Sequence, residues 1–190
     1  MAKTEIEKYF MARAKEIQVI AKDGTPWGFL CGAAFLDCLS KLAEGQDRRR
    51  QGYKDFVRKY LKAINPAYSA FKYANGKADL PEQLYHVFRC GILHSFSLVP
   101  DATSAKQGGR RRSIVLCHRK EAKRMGITHL SRYSTPIIPD ACVFVAEDFV
   151  KDLKRVTALL FGPKARKIDP DITTKMKTWV KQQPPIAGGF

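Results

Sequence analysis

Apolar residues recur along this chain at intervals of three and four, and the interruptions fall where helices would have to stop. Thr4 and Glu7 form a capping box ahead of Ile6, Phe10, Met11, Ala14, Ile17 and Ile20, which predicts an amphipathic first helix ending before Asp23-Gly24. Thr25-Pro26 then supplies a cap and a first-turn proline for a second helix running to Gly45. That helix is apolar almost all round, so it belongs at the centre of a bundle. Its Gly28, Gly32, Ala33 and Ala34 invite close approach by a neighbour, expected to be the helix that carries Arg89. Tyr53, Phe56, Val57, Tyr60, Leu61 and Ile64 mark a third helix, stopping near Asn65-Pro66. Tyr68, Phe71 and Tyr73 follow, read as packing under the bundle in preference to stacking on bases.

The segment from Asp79 to Leu98 is the most helix-like and the most chemically loaded. Asp79 is a good N-cap, Pro81 suits a first turn, and Glu82 stands three residues after the cap. Leu84, Val87, Phe88, Gly91, Ile92 and Leu93 cover most of the circumference, so this helix is also expected inside the bundle. Yet it carries Tyr85, His86, Arg89, Cys90, His94 and Ser95, and a buried arginine is costly unless it meets an anion or an acceptor. Asp37, the lone acid of the second helix, is either that buried partner or an exposed residue on a polar strip.

After Pro100 the composition changes. Asp101 to Arg112 is small, glycine-rich and basic, and reads as a loop. Ser113–Cys117 and Ala141–Val145 are apolar and β-branched, and are expected to pair antiparallel as a small hairpin-like unit, with a short helical turn over Lys120 to Met125 and an extended Ser134 to Pro139 between them. A last main helix begins at Ala146, with Phe149, Leu153, Val156 and Leu160 on one face, and ends at Gly162-Pro163. The predicted fold is mainly α: a bundle of four to five helices with a small two-stranded β appendage. Residues 1–162 form one domain with a loop and β insertion over 106–145, and 163–190 add a short helix and a flexible tail that docks on the bundle or on a second subunit.

Charge adds a partner class to this picture. The 34 Lys and Arg outnumber 18 Asp and Glu, giving a formal net charge of +16, which favours a polyanion and first of all nucleic acid. Arg48, Arg49 and Arg50 lie in a connector, and Lys106, Arg110, Arg111 and Arg112 in the basic loop; both groups are candidates for RNA phosphates, the alternative being solvated charge. Five cysteines in no framework spacing point to a reducing, cytoplasmic setting, and no run of eighteen apolar residues exists to span a membrane.

Arg89 and His94 suggest a specific chemistry. Arginine stays protonated and offers a planar fork suited to phosphate, whereas histidine titrates near neutrality and can exchange a proton. Together they suit attack of an RNA 2′-hydroxyl on the adjacent phosphodiester, with no metal or other cofactor required. In a regular α-helix five residues rotate about 140°, so the two side chains share a face only if the helix loosens, or if the long Arg89 side chain reaches round. A competing set, His86, Cys90 and His94, follows a spacing of four and four that could bind zinc, with Cys117-His118 as further ligands. No Cys-x-x-Cys pair or second ligand helix supports it, and a polar stripe beside a groove is the simpler reading.

Arg89-Cys90-Gly91-Ile92-Leu93-His94, an arginine and a histidine separated by four residues on a capped core helix, resembles the signature of the HEPN superfamily of small helical bundles. The likeness spans roughly residues 25 to 100. It implies a HEPN-like domain with metal-independent endoribonuclease activity, Arg89 as phosphate clamp, His94 as base, and Tyr85, Cys90 and Ser95 beside the groove. It further implies an RNA partner, a groove shared across a homodimer, and a place in toxin-antitoxin or antiphage defence with an antitoxin as a further partner. The chain departs from the pattern at Cys90, where many active members carry a polar or acidic residue. A HEPN-fold adaptor that binds RNA or dimerises without turnover is therefore the alternative.

Overall fold

A computed structural model describes residues 4–73, 79–92, 113–136 and 140–182. Helix α1, Glu5–Ile20, starts at Thr4, whose hydroxyl accepts the Glu7 amide at 3.2 Å, and it buries Phe10, Ala14 and Ile17. Helix α2, Trp27–Glu44, is closed off by Gly45 at φ 90°, a conformation that favours glycine. Helix α3 comprises Arg49–Phe56, a wide π turn over Val57–Leu61, and Lys62–Ile64. The Lys62 amide reaches back five residues to the Val57 carbonyl, the hydrogen bond that defines this wider winding. After the short α4, Ala67–Ala70, helix α5 begins as Leu80–Leu84 and continues as π turns over Tyr85–Ile92. Its start is as the sequence predicts: the Asp79 carboxylate accepts the Glu82 amide at 3.0 Å, with Pro81 in the first turn.

The C-terminal half holds β1 (Ser113–Cys117), α6 (Arg119–Met125), β2 (Arg132–Tyr133), β3 (Ala141–Val145), α7 (Ala146–Phe161), α8 (Ala165–Ile168) and α9 (Ile172–Gln182). The fold is mainly helical with a small sheet, but among the described residues the sheet has three strands, not two, in the order β1-β3-β2. The pairing expected between Ser113–Cys117 and Ala141–Val145 is also corrected: these strands run parallel, with Ser113 opposite Ala141 and Cys117 opposite Val145, and the antiparallel partner of β3 is β2. The reason lies in the connection. Parallel neighbours need a crossover of a dozen residues or more, and α6 with its flanking loops supplies one.

Helix α2 packs against α1, α3, α5, α7 and α9 and so occupies the centre. Its glycines face a different neighbour from the one the sequence suggested. A Cβ at Gly28 would lie 2.7 Å from the Ala21 backbone and one at Gly32 2.8 Å from the Phe149 ring, so the close approach is to the end of α1 and to α7, not to α5. Every residue of β3 is buried. Phe144 projects from it into the bundle, its ring centroid 5.0 Å from that of Phe88 on α5 and 5.6 Å from that of Phe149 on α7. Edge-on aromatic contacts of this kind contribute about 0.5–1.5 kcal/mol beyond area burial. Tyr68 and Tyr73 are buried, and Phe71 is capped by the Arg132 guanidinium 5.6 Å from its ring, in keeping with a packing role.

Helix α9 lies on the bundle of its own chain. Trp179 meets Phe10 with ring centroids 5.9 Å apart, and Asp169 accepts from Lys175 at 2.5 Å and from the Tyr60 hydroxyl at 3.3 Å. Among the described residues no helix is long and apolar enough to cross a membrane.

Candidate functional site

The π winding of α5 decides what its side chains share. Successive i→i+5 turns bring residues five apart close to one line, and the helix shows this: Tyr85 and Cys90 hydrogen-bond through their side chains, and Val87 and Ile92 are both buried. Burial first, and then Cys90, push the Tyr85 hydroxyl above its ordinary pKa. Arg89, four residues after Tyr85, sets its guanidinium 5.9 Å from the Tyr85 ring centre.

Arg89 reaches a cavity of about 420 Å³ between α2, α3 and α5. Asp37, Ser40 and Lys41 form its α2 wall, Gly45, Gln46 and Arg49 the turn that joins α2 to α3, and Gly52, Tyr53, Tyr85 and Arg89 the opposite side. The volume falls within the range of small-molecule sites. Asp37 does pair with an arginine but is half-buried, not buried: its carboxylate lies 3.6 Å from Arg89 Nε, and it also pairs with Lys41, one helical turn on, at 2.6 Å. The Tyr53 hydroxyl is buried without a hydrogen-bond partner among the described residues, on a side chain only 1% exposed. Burial first, and then Asp37, hold that hydroxyl well above the ordinary tyrosine range, so it remains a proton donor.

The arginine run Arg48–Arg50 divides three ways. Arg48 is bound to Glu44 and Asp55, each at 2.7 Å, and Glu44, fully buried, also takes Lys59 at 2.9 Å. Arg50 is tied to Glu82 and lies against the Tyr85 ring. Arg49 alone of the three makes no ion pair with a described residue, and it lines the cavity. Its backbone sits at φ 40°, ψ −123°, a strained conformation for a residue with a Cβ. Lys54, also on Glu82 at 2.9 Å, is pushed below its ordinary pKa by burial first and then by Arg50 and Arg58.

The other candidates are distributed as follows. His94, Ser95, Lys106, Arg110, Arg111 and Arg112 lie outside the described residues. Cys90 is half-buried. His86 Nε2 bonds Glu82 at 2.9 Å. Cys117 packs in a separate apolar cluster with Ala122, Val143 and Val145, and His118 faces Glu147 at 4.0 Å, so neither joins His86 and Cys90. Among the described residues no group of three or more His, Cys, Asp or Glu side chains converges to hold a metal ion. Sequence reasoning missed Lys41 and Tyr53. Lys41 follows Asp37 at the i, i+4 spacing of a helical ion pair, a legible signal. Tyr53 could not be told from any core aromatic of α3.

Comparison with known proteins returned no match: no family model, no curated relative and no solved structure matches the chain.

Proposed function

We propose that the chain is a metal-independent endoribonuclease of HEPN type, with Arg89 and His94 as its catalytic pair. The observation that carries this reading is the position of Arg89, on a helix capped by Asp79 and with its half-buried side chain lining a cavity between α2, α3 and α5. The i→i+5 winding of α5 is described as far as Ile92, and His94 enters this reading from the sequence interval alone. The net charge of +16 supports an RNA substrate.

In this reaction His94 takes the proton of a ribose 2′-hydroxyl as its oxygen attacks the neighbouring phosphorus. The bond from phosphorus to the 5′-oxygen breaks, that oxygen is protonated, and a 2′,3′-cyclic phosphate remains. Arg89 donates to the phosphoryl oxygens as their charge rises, which is where a preorganised donor counts most. The homodimer and the antitoxin partner belong to the same proposal.

A second reading, RNA binding without turnover, is favoured by the Asp37–Arg89 pair: a carboxylate already occupying the guanidinium competes with a phosphate for it. The assay that separates them is RNA cleavage in EDTA by the unmodified protein, Arg89→Lys and His94→Ala, with folding checked by circular dichroism. The nuclease reading expects cleavage that survives EDTA and falls about 10²-fold or more in each variant. Intact RNA, bound but uncut by the unmodified protein, would refute it and leave the adaptor.

A further inference from the structure

The cavity holds more cationic charge than cleavage of an internal phosphodiester calls for. Lys41, Arg49 and Arg89 face a single carboxylate, Asp37, leaving a local charge of +2. A phosphodiester carries one negative charge, whereas a phosphomonoester carries close to two near neutral pH. Tyr53, in the same lining, carries a neutral donor with no hydrogen-bond partner among the described residues. Arg49, whose strained backbone brings it to the cavity, makes no ion pair with a described residue, although its neighbours Arg48 and Arg50 are both held by acids. Strain at a single unpaired cation in a cavity wall is the pattern of a binding position held in readiness.

We propose that this cavity is a phosphomonoester subsite that takes the terminal phosphate of an RNA strand, with Arg49 and Arg89 as its charged donors and Tyr53 as its neutral one. Asp37 sets its selectivity. It holds Lys41 and Arg89 apart from a weakly charged ligand and yields them to a dianion, whose second charge offsets the lost ion pair. The proposal rests on the RNA reading above for the nature of the ligand, but not on His94 or on cleavage.

The test uses 2′-O-methyl oligoribonucleotides, which lack the attacking hydroxyl and stay whole, bearing a 5′-phosphate, a 3′-phosphate or neither, with adenosine 5′-monophosphate in a separate arm. Binding is measured for the unmodified protein, Arg49→Gly and Tyr53→Phe. Glycine tolerates φ 40°, so Arg49→Gly removes the guanidinium without adding strain, and Tyr53→Phe removes one oxygen whose hydrogen bond is unmade. One end phosphate is expected to tighten binding roughly tenfold or more. Both variants should lose most of that gain, and Tyr53→Phe should bind the unphosphorylated oligomer as before. Equal affinity with and without an end phosphate would overturn the subsite and leave the RNA reading standing. If no oligomer binds, the RNA reading and the RNA end as ligand both fall, and Arg49-dependent binding of adenosine 5′-monophosphate would then mark the cavity as a free-nucleotide site.

Discussion

Replacing His129 by glutamine should flatten the acid limb of this protein's stability profile. His129 lies between α6 and β2 with its side chain 7% exposed. The Val145 amide donates to Nδ1 at 3.1 Å, so the ring is neutral with its proton on Nε2, which faces the Tyr68 hydroxyl at 3.2 Å. Burial lowers its pKa from 6.5 to about 4, against a smaller upward pull from Asp148. The unfolded chain therefore binds a proton between those values that the folded chain refuses. The resulting stability is present in full above pH 6.5 and is lost as pH falls towards 4. At about 1.4 kcal/mol per unit this amounts to about 3 kcal/mol.

Asp152, 3.8 Å from His129 Nε2, works the other way. Burial raises its pKa despite Arg155, so the folded state takes up its proton earlier and gains stability as pH falls. Asp152 thus offsets part of the slope that His129 gives, and the variant isolates the histidine. Urea unfolding of both proteins at intervals from pH 7.5 to 4 measures the difference. The unmodified protein should lose about 2–3 kcal/mol more than His129→Gln across that range. Parallel profiles, within about 0.5 kcal/mol at every pH, would show that His129 is not held neutral by the fold.

Three further outcomes follow from the packing and the caps. Gly32→Ala places a Cβ 2.8 Å from the ring of Phe149, which also packs against Phe88 and Phe144, so it should cost about 1–3 kcal/mol by thermal or urea unfolding. Asp79→Ala removes the cap of α5 and the partner of Arg58 at 2.5 Å; about 1–2 kcal/mol should be lost, with faster amide exchange in α5 than in α1. Arg49→Gly should raise stability by about 1 kcal/mol by releasing the strain at φ 40°, and an unchanged or lowered melting temperature would count against that strain.

Much of the bundle was legible because its signals are local. Thr4, Pro26, Gly45 and Asp79 each act on the few residues beside them, and the helix boundaries they announce are those of α1, α2 and α5. The pairing of β1 with β3 was not, because a five-residue apolar strand carries no mark of its neighbour's direction and the crossover decides it. The π turns of α5 were hidden for a related reason, since a helix apolar nearly all round fits a period of 3.6 and a wider one equally well. The arginine run illustrates the limit at the site. Glu44 lies four residues from Arg48 and is visible along the chain, but Glu82, which holds Arg50, is 32 residues away and meets it only in the folded protein. Arg49 is therefore singled out by what its two neighbours bind, information that no local pattern contains.

The wide winding of α5 makes the orientation of Arg89 a matter of residue count as well as residue type. Deleting one position between Leu84 and Phe88 would let the backbone ladder close with i→i+4 bonds, an easy change for a helix. One residue fewer in a turn that closes one residue earlier carries the later side chains through nearly the same angle, so the guanidinium at Arg89 would still face Asp37 and the cavity wall. A chain one residue shorter in this stretch and wound as a regular α-helix would therefore keep the site, whereas one residue fewer with the wide winding retained would not.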